Sequence, residues 1–247
     1  MSKIVCVAVA ALLLAAPAFA TPSTTYWTPM TMDIQPFGVL HLGVDNYFNV
    51  DRSSHEPHAL ATDVGLTIGI LPFEKLIMEV GVDGLYPSDF PYYFNAKLGT
   101  PEDSLFDWSP ALEVGIFNIG TGNIATNQNV VYGVIGKTIP NIGRLSIGPY
   151  IGNSKALVDG NGKKENTGFM AAFDHGFVPT TDAKGNEYKK LVLAADYASG
   201  KNAIGGGGVG LYYYFTKDIS LLTGPVFFNE KSINGTWKWT VQLDINF

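Results

Sequence analysis

The chain has 247 residues, with 16 Lys or Arg against 22 Asp or Glu, for a formal net charge of -6. Charged residues make up only 15% and hydrophobic ones 46%, with 28 glycines, whereas an ordinary soluble domain carries about 25% charge. This balance excludes an acidic disordered chain and a coiled coil, and no Lys/Arg-rich patch is present to hold nucleic acid.

Residues 1–20 read as a secretory signal peptide. Lys3 supplies the positive start, and Ile4 to Ala16 is an apolar run too short to span a bilayer as a helix. Ala18-Phe19-Ala20 places small residues where a signal peptidase requires them, so cleavage is expected after Ala20. Cys6 is the single cysteine and falls inside this segment. The mature chain, residues 21–247, is therefore expected to carry no thiol, no disulfide and no Cys metal ligand.

After Thr21 no stretch keeps a helical period. Segments of about ten residues instead alternate between an apolar face and a small or polar face, the strand period of two. Leu60, Val64, Leu66, Ile68 and Ile70 oppose Ala61, Asp63, Gly65, Thr67 and Gly69, and Met78, Val80 and Val82 oppose Glu79, Gly81 and Asp83. The last segment sets Trp237, Trp239, Val241, Leu243, Ile245 and Phe247 against Thr236, Lys238, Thr240, Gln242, Asp244 and Asn246. In chain order the pattern predicts about twelve strands, near 34–49, 58–70, 76–86, 91–99, 108–118, 128–138, 144–153, 167–178, 188–199, 206–216, 218–229 and 236–247. Turn signals at Leu71-Pro72, Pro140-Asn141, Lys217-Asp218 and Asn234-Gly235 punctuate them. No composition break or linker interrupts the series, so residues 21–247 form one expected domain.

A soluble sandwich also alternates, and the second face decides between it and a membrane barrel. Here that face is small: Gly148 and Gly152, Ala172 and Gly176, Ala194 and Ala198, then Gly206, Gly208 and Gly210. The opposite face is large and apolar, and aromatic residues such as Tyr86, Trp108, Phe177, Phe215 and Trp237 stand at strand ends, as in the girdles of a membrane barrel. Spanning lipid with strands requires closure, so the expected fold is all-β, a single antiparallel up-and-down transmembrane barrel. Connectors after odd strands are mostly the longer ones, although 100–107 and 179–187 are long for turns at the other end. An even strand count places both termini on the periplasmic side.

The tail Trp239-Thr-Val241-Gln-Leu243-Asp-Ile245-Asn-Phe247 resembles the C-terminal signature of bacterial outer-membrane β-barrel proteins. The resemblance extends over the signal peptide, strand pattern and tail without picking out a subfamily. It implies an integral protein of the Gram-negative outer membrane, with outer-membrane lipid and the barrel-assembly machinery as partners. Trp239, Val241, Leu243, Ile245 and Phe247 would form the strand that this machinery reads.

Parity nominates the lumen lining: Asp63, Glu79, Asp83, Glu113, Asp174, Asp196 and Asp244 against Lys97, Lys137, Lys190 and Lys238. The acidic excess points to a mild cation preference if the lumen conducts. Arg52 and Arg144 are the only arginines, which departs from the basic lining of an anion pore. The alternative is a closed polar core in which these charges pair.

Catalytic readings find no constellation. His175 faces lipid between Phe173 and Phe177 without a Ser two residues away, and His41 points into the lumen. Asp51, His55, Glu56 and His58 share a loop, but Pro57 breaks the spacing that would align them on a metal. Gly205 to Gly210 matches G-x-G-x-x-G without a following helix, and reads as a strand facing a close-packed interior. No cofactor and no metal are expected. The sequence therefore predicts a porin-like channel passing small solutes by diffusion. The alternatives are a structural or surface-interaction barrel with a closed lumen and, third, a lipid-modifying enzyme.

Overall fold

Alternation decides which way each side chain of the wall points. Val64, Leu66 and Ile68 are exposed on the outer surface while Thr67 between them is buried. In the last strand Lys238, Thr240, Gln242, Asp244 and Asn246 are buried, with Trp239 and Phe247 on the outside. One face per strand is thus exposed and largely apolar, the pattern of a lipid-facing barrel wall, and the other meets the interior.

The computed structural model describes residues 24–50, 59–122 and 127–247. Its strands are β1 (Leu40–Phe48), β2 (Thr62–Gly69), β3 (Ile77–Tyr86), β4 (Tyr92–Thr100), β5 (Ala111–Gly120) and β6 (Val130–Ile139). They continue as β7 (Gly143–Ile151), β8 (Thr167–Thr181), β9 (Glu187–Ala198), β10 (Gly206–Thr216), β11 (Ile219–Phe228) and β12 (Trp237–Asn246). Each pairs antiparallel with its sequence neighbours, and β1 pairs with β12 from His41↔Asn246 to Phe48↔Trp239, closing the barrel. Closure leaves no row of unpaired N–H and C=O groups facing hydrocarbon. At the seam the Phe247 amide donates to the Leu40 carbonyl at 2.9 Å.

The expected turns are present. Lys217-Asp218 joins β10 to β11, and Asn141 takes a left-handed φ of 64° between β6 and β7. Asn234-Gly235 ends a one-turn helix, α1 (Lys231–Asn234), with Gly235 at φ 84°. The long 179–187 connector is explained by strand pairing: β8 and β9 continue to Thr181↔Glu187, past the last residues of β7 and β10 that they pair, as a projecting two-stranded hairpin. The rim holding the start of β1, the end of β12 and this hairpin is called here the turn rim, and the opposite one the loop rim.

The first strand departs from expectation. It begins at Leu40 rather than residue 34, because the chain before it does not belong to the wall. Residues 24–36 form a strap inside the barrel, bent over residues 24–29. Phe37 bridges Gly69 at the turn rim, whereas Trp27 packs edge-on against Tyr47 and Phe228 near the loop rim. The start of β1 and the end of β12 do share a rim, as the even strand count requires. The chain leading into β1 nevertheless runs back through the lumen, and Trp27 reaches the aromatic residues near the loop rim. The expected signal peptide and its cleavage site lie outside the described residues, as do Asp51, His55, Glu56 and His58.

Candidate luminal site: a strap and an acid-lined cavity

The strap is seated by side chains that the strands aim inward. Asp196 on β9 accepts at one oxygen from the amides of Tyr26, Trp27 and Thr28 at 3.1, 2.8 and 2.7 Å, and from the Thr28 hydroxyl at 2.8 Å. Three successive amides converging on one carboxylate form a concave anion-binding turn, and charge-assisted bonds of this kind are the strong ones. Gln242 on β12 donates to the Tyr26 carbonyl at 2.9 Å, Tyr212 on β10 to that of Thr25 at 3.1 Å and Ser146 on β7 to that of Met30 at 2.6 Å. Glu79 on β3 accepts from the Gln35 amide at 2.8 Å. A peptide in the interior needs its backbone groups met, and the wall meets them.

Small residues of the wall make the room. The Tyr26 ring lies over Gly208 and Gly210, so a Cβ at either would strike it. A Cβ at Gly136 would lie 2.5 Å from the Met32 sulfur, and one at Gly99 would lie 2.9 Å from Ile34 Cδ1. The glycine run of β10 is therefore a seat for an aromatic ring and not a nucleotide loop. Met30, Met32, Tyr132, Tyr150 and Met170 share one buried cluster, and Tyr26 packs with Tyr47, Tyr212 and Leu222 in another.

Between the strap and the β1–β5 wall a cavity of about 350 Å³ remains. Its wall carries Asp45, Asp63 and Asp83 with His41, Asn95, Lys97 and Asn118, and the strap contributes Thr24, Trp27, Thr28 and Pro29. Gly43, Gly65 and Gly81 keep this side open. Asp45 and Asp63 are direct cross-strand partners, and the Asp83 carboxylate lies above Gly65 and accepts a hydrogen bond from Asn95. Oδ1 of Asp63 meets no partner among the described residues. These three carboxylates stand on adjacent strands in a confined space.

The nominated lining residues divide into groups. Asp63 and Asp83 face the cavity. Glu79 also borders it but is held by Gln35 and by Lys97, whose ammonium lies 3.8 Å away. Lys97 additionally donates to the carbonyls of Thr31 and Asp33 at 3.4 and 3.2 Å. Glu113 is 4% exposed and packs beside Gly99, where Ile34 of the strap also reaches. Asp174 accepts from Arg144 Nε at 2.8 Å, and the same guanidinium grips both oxygens of Asp33 at 2.7 Å. Asp196 points inward but serves as the strap's anchor, while Asp244 pairs with His41 at 3.3 Å.

Lys137 must be corrected. It lies on the outer face near the turn rim, 2.6 Å from Asp103 and 3.2 Å from Glu102, with its ammonium over the Trp108 ring. On β6 the buried residues are Val130, Tyr132 and Val134, and the exposed ones are Val131 and Ile135. Both faces are apolar, so alternation could not orient that strand. Lys190 stands over the Tyr213 ring, which is itself exposed, and Lys238 donates to Asn49 at 2.6 Å. Asp45 was missed although it shares the parity of His41 on β1, which was enough to place it inward.

No protein-family model matches the chain, and no curated protein matches it in sequence. Solved structures do share its architecture. A KdgM porin superposes with a TM-score of 0.53 at 11% identity, over 85% of this chain and 99% of that one. An outer-membrane channel from Pseudomonas putida F1 superposes with a TM-score of 0.50 at 9% identity, over 92% of this chain and 99% of that one. The fold is that of the bacterial outer-membrane porins, and the C-terminal resemblance noted in the sequence agrees with it.

Proposed function

We propose that the protein is a porin-like channel of the outer membrane that passes small solutes by passive diffusion and favours cations. The observation that carries this reading is the acid-lined cavity beside the strap, inside a closed barrel of porin architecture. Solutes entering at the loop rim meet Asp45, Asp63 and Asp83 with few compensating cations. The candidate acids are therefore these three rather than Glu79 and Glu113, which are engaged or packed beneath the strap. The mechanism needs no reacting group: width and wall charge do the selecting. Single-channel recording of the refolded protein in a salt gradient tests it. Conductance with a cation-directed reversal potential is expected, and replacing Asp45, Asp63 and Asp83 by Asn should move that potential toward zero. A conducting protein with no preference would remove these acids from the mechanism.

A second reading is a structural or surface-interaction barrel with a closed lumen. The burial of the strap favours it: Met30, Thr31 and Gln35 are at most 1% exposed. A wild-type protein that inserts but never conducts would select this reading.

A further inference from the structure

The strap does more than narrow the barrel. Lys97 and Arg144 both turn toward it: Asp33 of the strap joins Asp174 of the wall on Arg144, and the carbonyls of Thr31 and Asp33 join Glu79 on Lys97. Arg144 holds Asp33 through two 2.7 Å bonds, the bidentate geometry that guanidinium and carboxylate favour. Met32 and Ile34 meanwhile enter the space over Gly136 and Gly99. Asp45, Asp63 and Asp83 stand nearer the loop rim, on the cavity wall that Lys97 also borders. Among the described residues, none of these three carboxylates bonds to the strap.

We propose that residues 24–36 are the constriction and the charge filter of the barrel: with Asp33 on Arg144 and two carbonyls on Lys97 they engage these bases and leave small cations a path past Asp45, Asp63 and Asp83. This deepens the channel reading and rests on it. An empty barrel of this wall would present acids and bases together, and discrimination by sign would weaken. With the strap in place the bases are spent, so the segment that narrows the path also selects the ion.

The test compares three proteins in planar bilayers under a potassium chloride gradient: the chain from Thr21, a variant lacking residues 24–36, and Asp33→Asn. The strapless variant should conduct more, with a reversal potential moved toward zero. In a fourth protein, adding Lys97→Gln and Arg144→Gln to the strapless variant should restore the cation direction, whereas the same pair in the strapped parent should change the potential little, which a merely structural strap would not produce. Asp33→Asn keeps the strap's other bonds and should shift the potential the same way by a smaller amount, so the proposal stays testable if the deletion fails to assemble. If the parent conducts and neither variant changes conductance or selectivity, the strap proposal is overturned and the channel reading stands. If the parent is silent and the strapless barrel conducts, the strap is upheld as the constriction while the intact protein is not an open channel. Silence in every variant that inserts would overturn both.

Discussion

Single residues carry unequal shares of the architecture. Asp196 is 7% exposed and one of its oxygens receives four hydrogen bonds from the strap. Replacing it with Ala would leave three amides without their acceptor in the interior. A loss of about 2–4 kcal/mol is expected, since a buried donor left unsatisfied costs its desolvation. Urea or heat titration of the detergent-folded protein measures it, and an unchanged midpoint would mean that the strap is held elsewhere. The wall is equally testable at this scale. Leu66 is 44% exposed on the outer surface, while Gly65 beside it faces the Asp83 carboxylate inside. Arg at Leu66 should cost about 2–4 kcal/mol if the site lies near the bilayer midplane. Arg at Gly65 should instead alter conductance, and equal stability losses at both positions would contradict the observed orientation.

Among the elements, the strap is the one that departs from repeating β-hairpins. Its seating can be checked by a covalent link. A Cβ at Gly136 would lie 2.8 Å from Met32 Cγ, close to where a cysteine sulfur at position 32 would be. A cysteine sulfur at position 32 would thus lie within reach of one at position 136, so Met32→Cys with Gly136→Cys should oxidise. The expected cleavage after Ala20 would remove Cys6, so no native thiol would compete. Peptide mass spectrometry of the membrane-inserted protein should find residues 32 and 136 joined; two free thiols after mild oxidation would place the strap outside the lumen. The hairpin of β8 and β9 makes a contrasting case. Its last pairs, from Pro179↔Lys189 to Thr181↔Glu187, have no partner strand on either side. Such a two-stranded end is marginal alone. Shortening it should leave barrel stability nearly unchanged, which the same titrations would show.

For the whole molecule, the decisive event is closure of β1 on β12. Phe247 is 69% exposed on the outer surface and its amide bonds Leu40 across the seam. Phe247→Asp would put a charge at the lipid-facing end of the closing strand and spoil the terminal pattern of alternate apolar residues. Outer-membrane levels should fall sharply, as read by fractionation and by the shifted migration of unheated samples. Wild-type levels would count against that tail as an assembly signal. The mature mass should correspond to a start at Thr21, and retention of Met1 to Ala20 would refute the signal peptide.

Period-two patterning alone determined the class, the strand number and the sidedness of most strands. A face is set by the position of Cβ along a pleated chain, which is local, and lipid punishes a misplaced charge. For the same reason the inward positions of Asp63, Glu79, Asp83 and Lys97 were legible, and the glycine run was correctly read as a close-packed strand. Local reasoning stopped where both faces of β6 were apolar, which is why Lys137 was put inside. It also stopped before β1: the stretch containing Pro29 and Pro36 carries no hairpin signal, so nothing in its own residues says that it folds back. Only tertiary structure decided that the interior is filled by residues 24–36. That outcome depends on Asp196, Ser146, Gln242 and the wall glycines lying far apart in the chain and converging on one peptide. The same convergence spends Lys97 and Arg144 on the strap and leaves Asp45, Asp63 and Asp83 to the cavity, a division that no count of luminal charges contains.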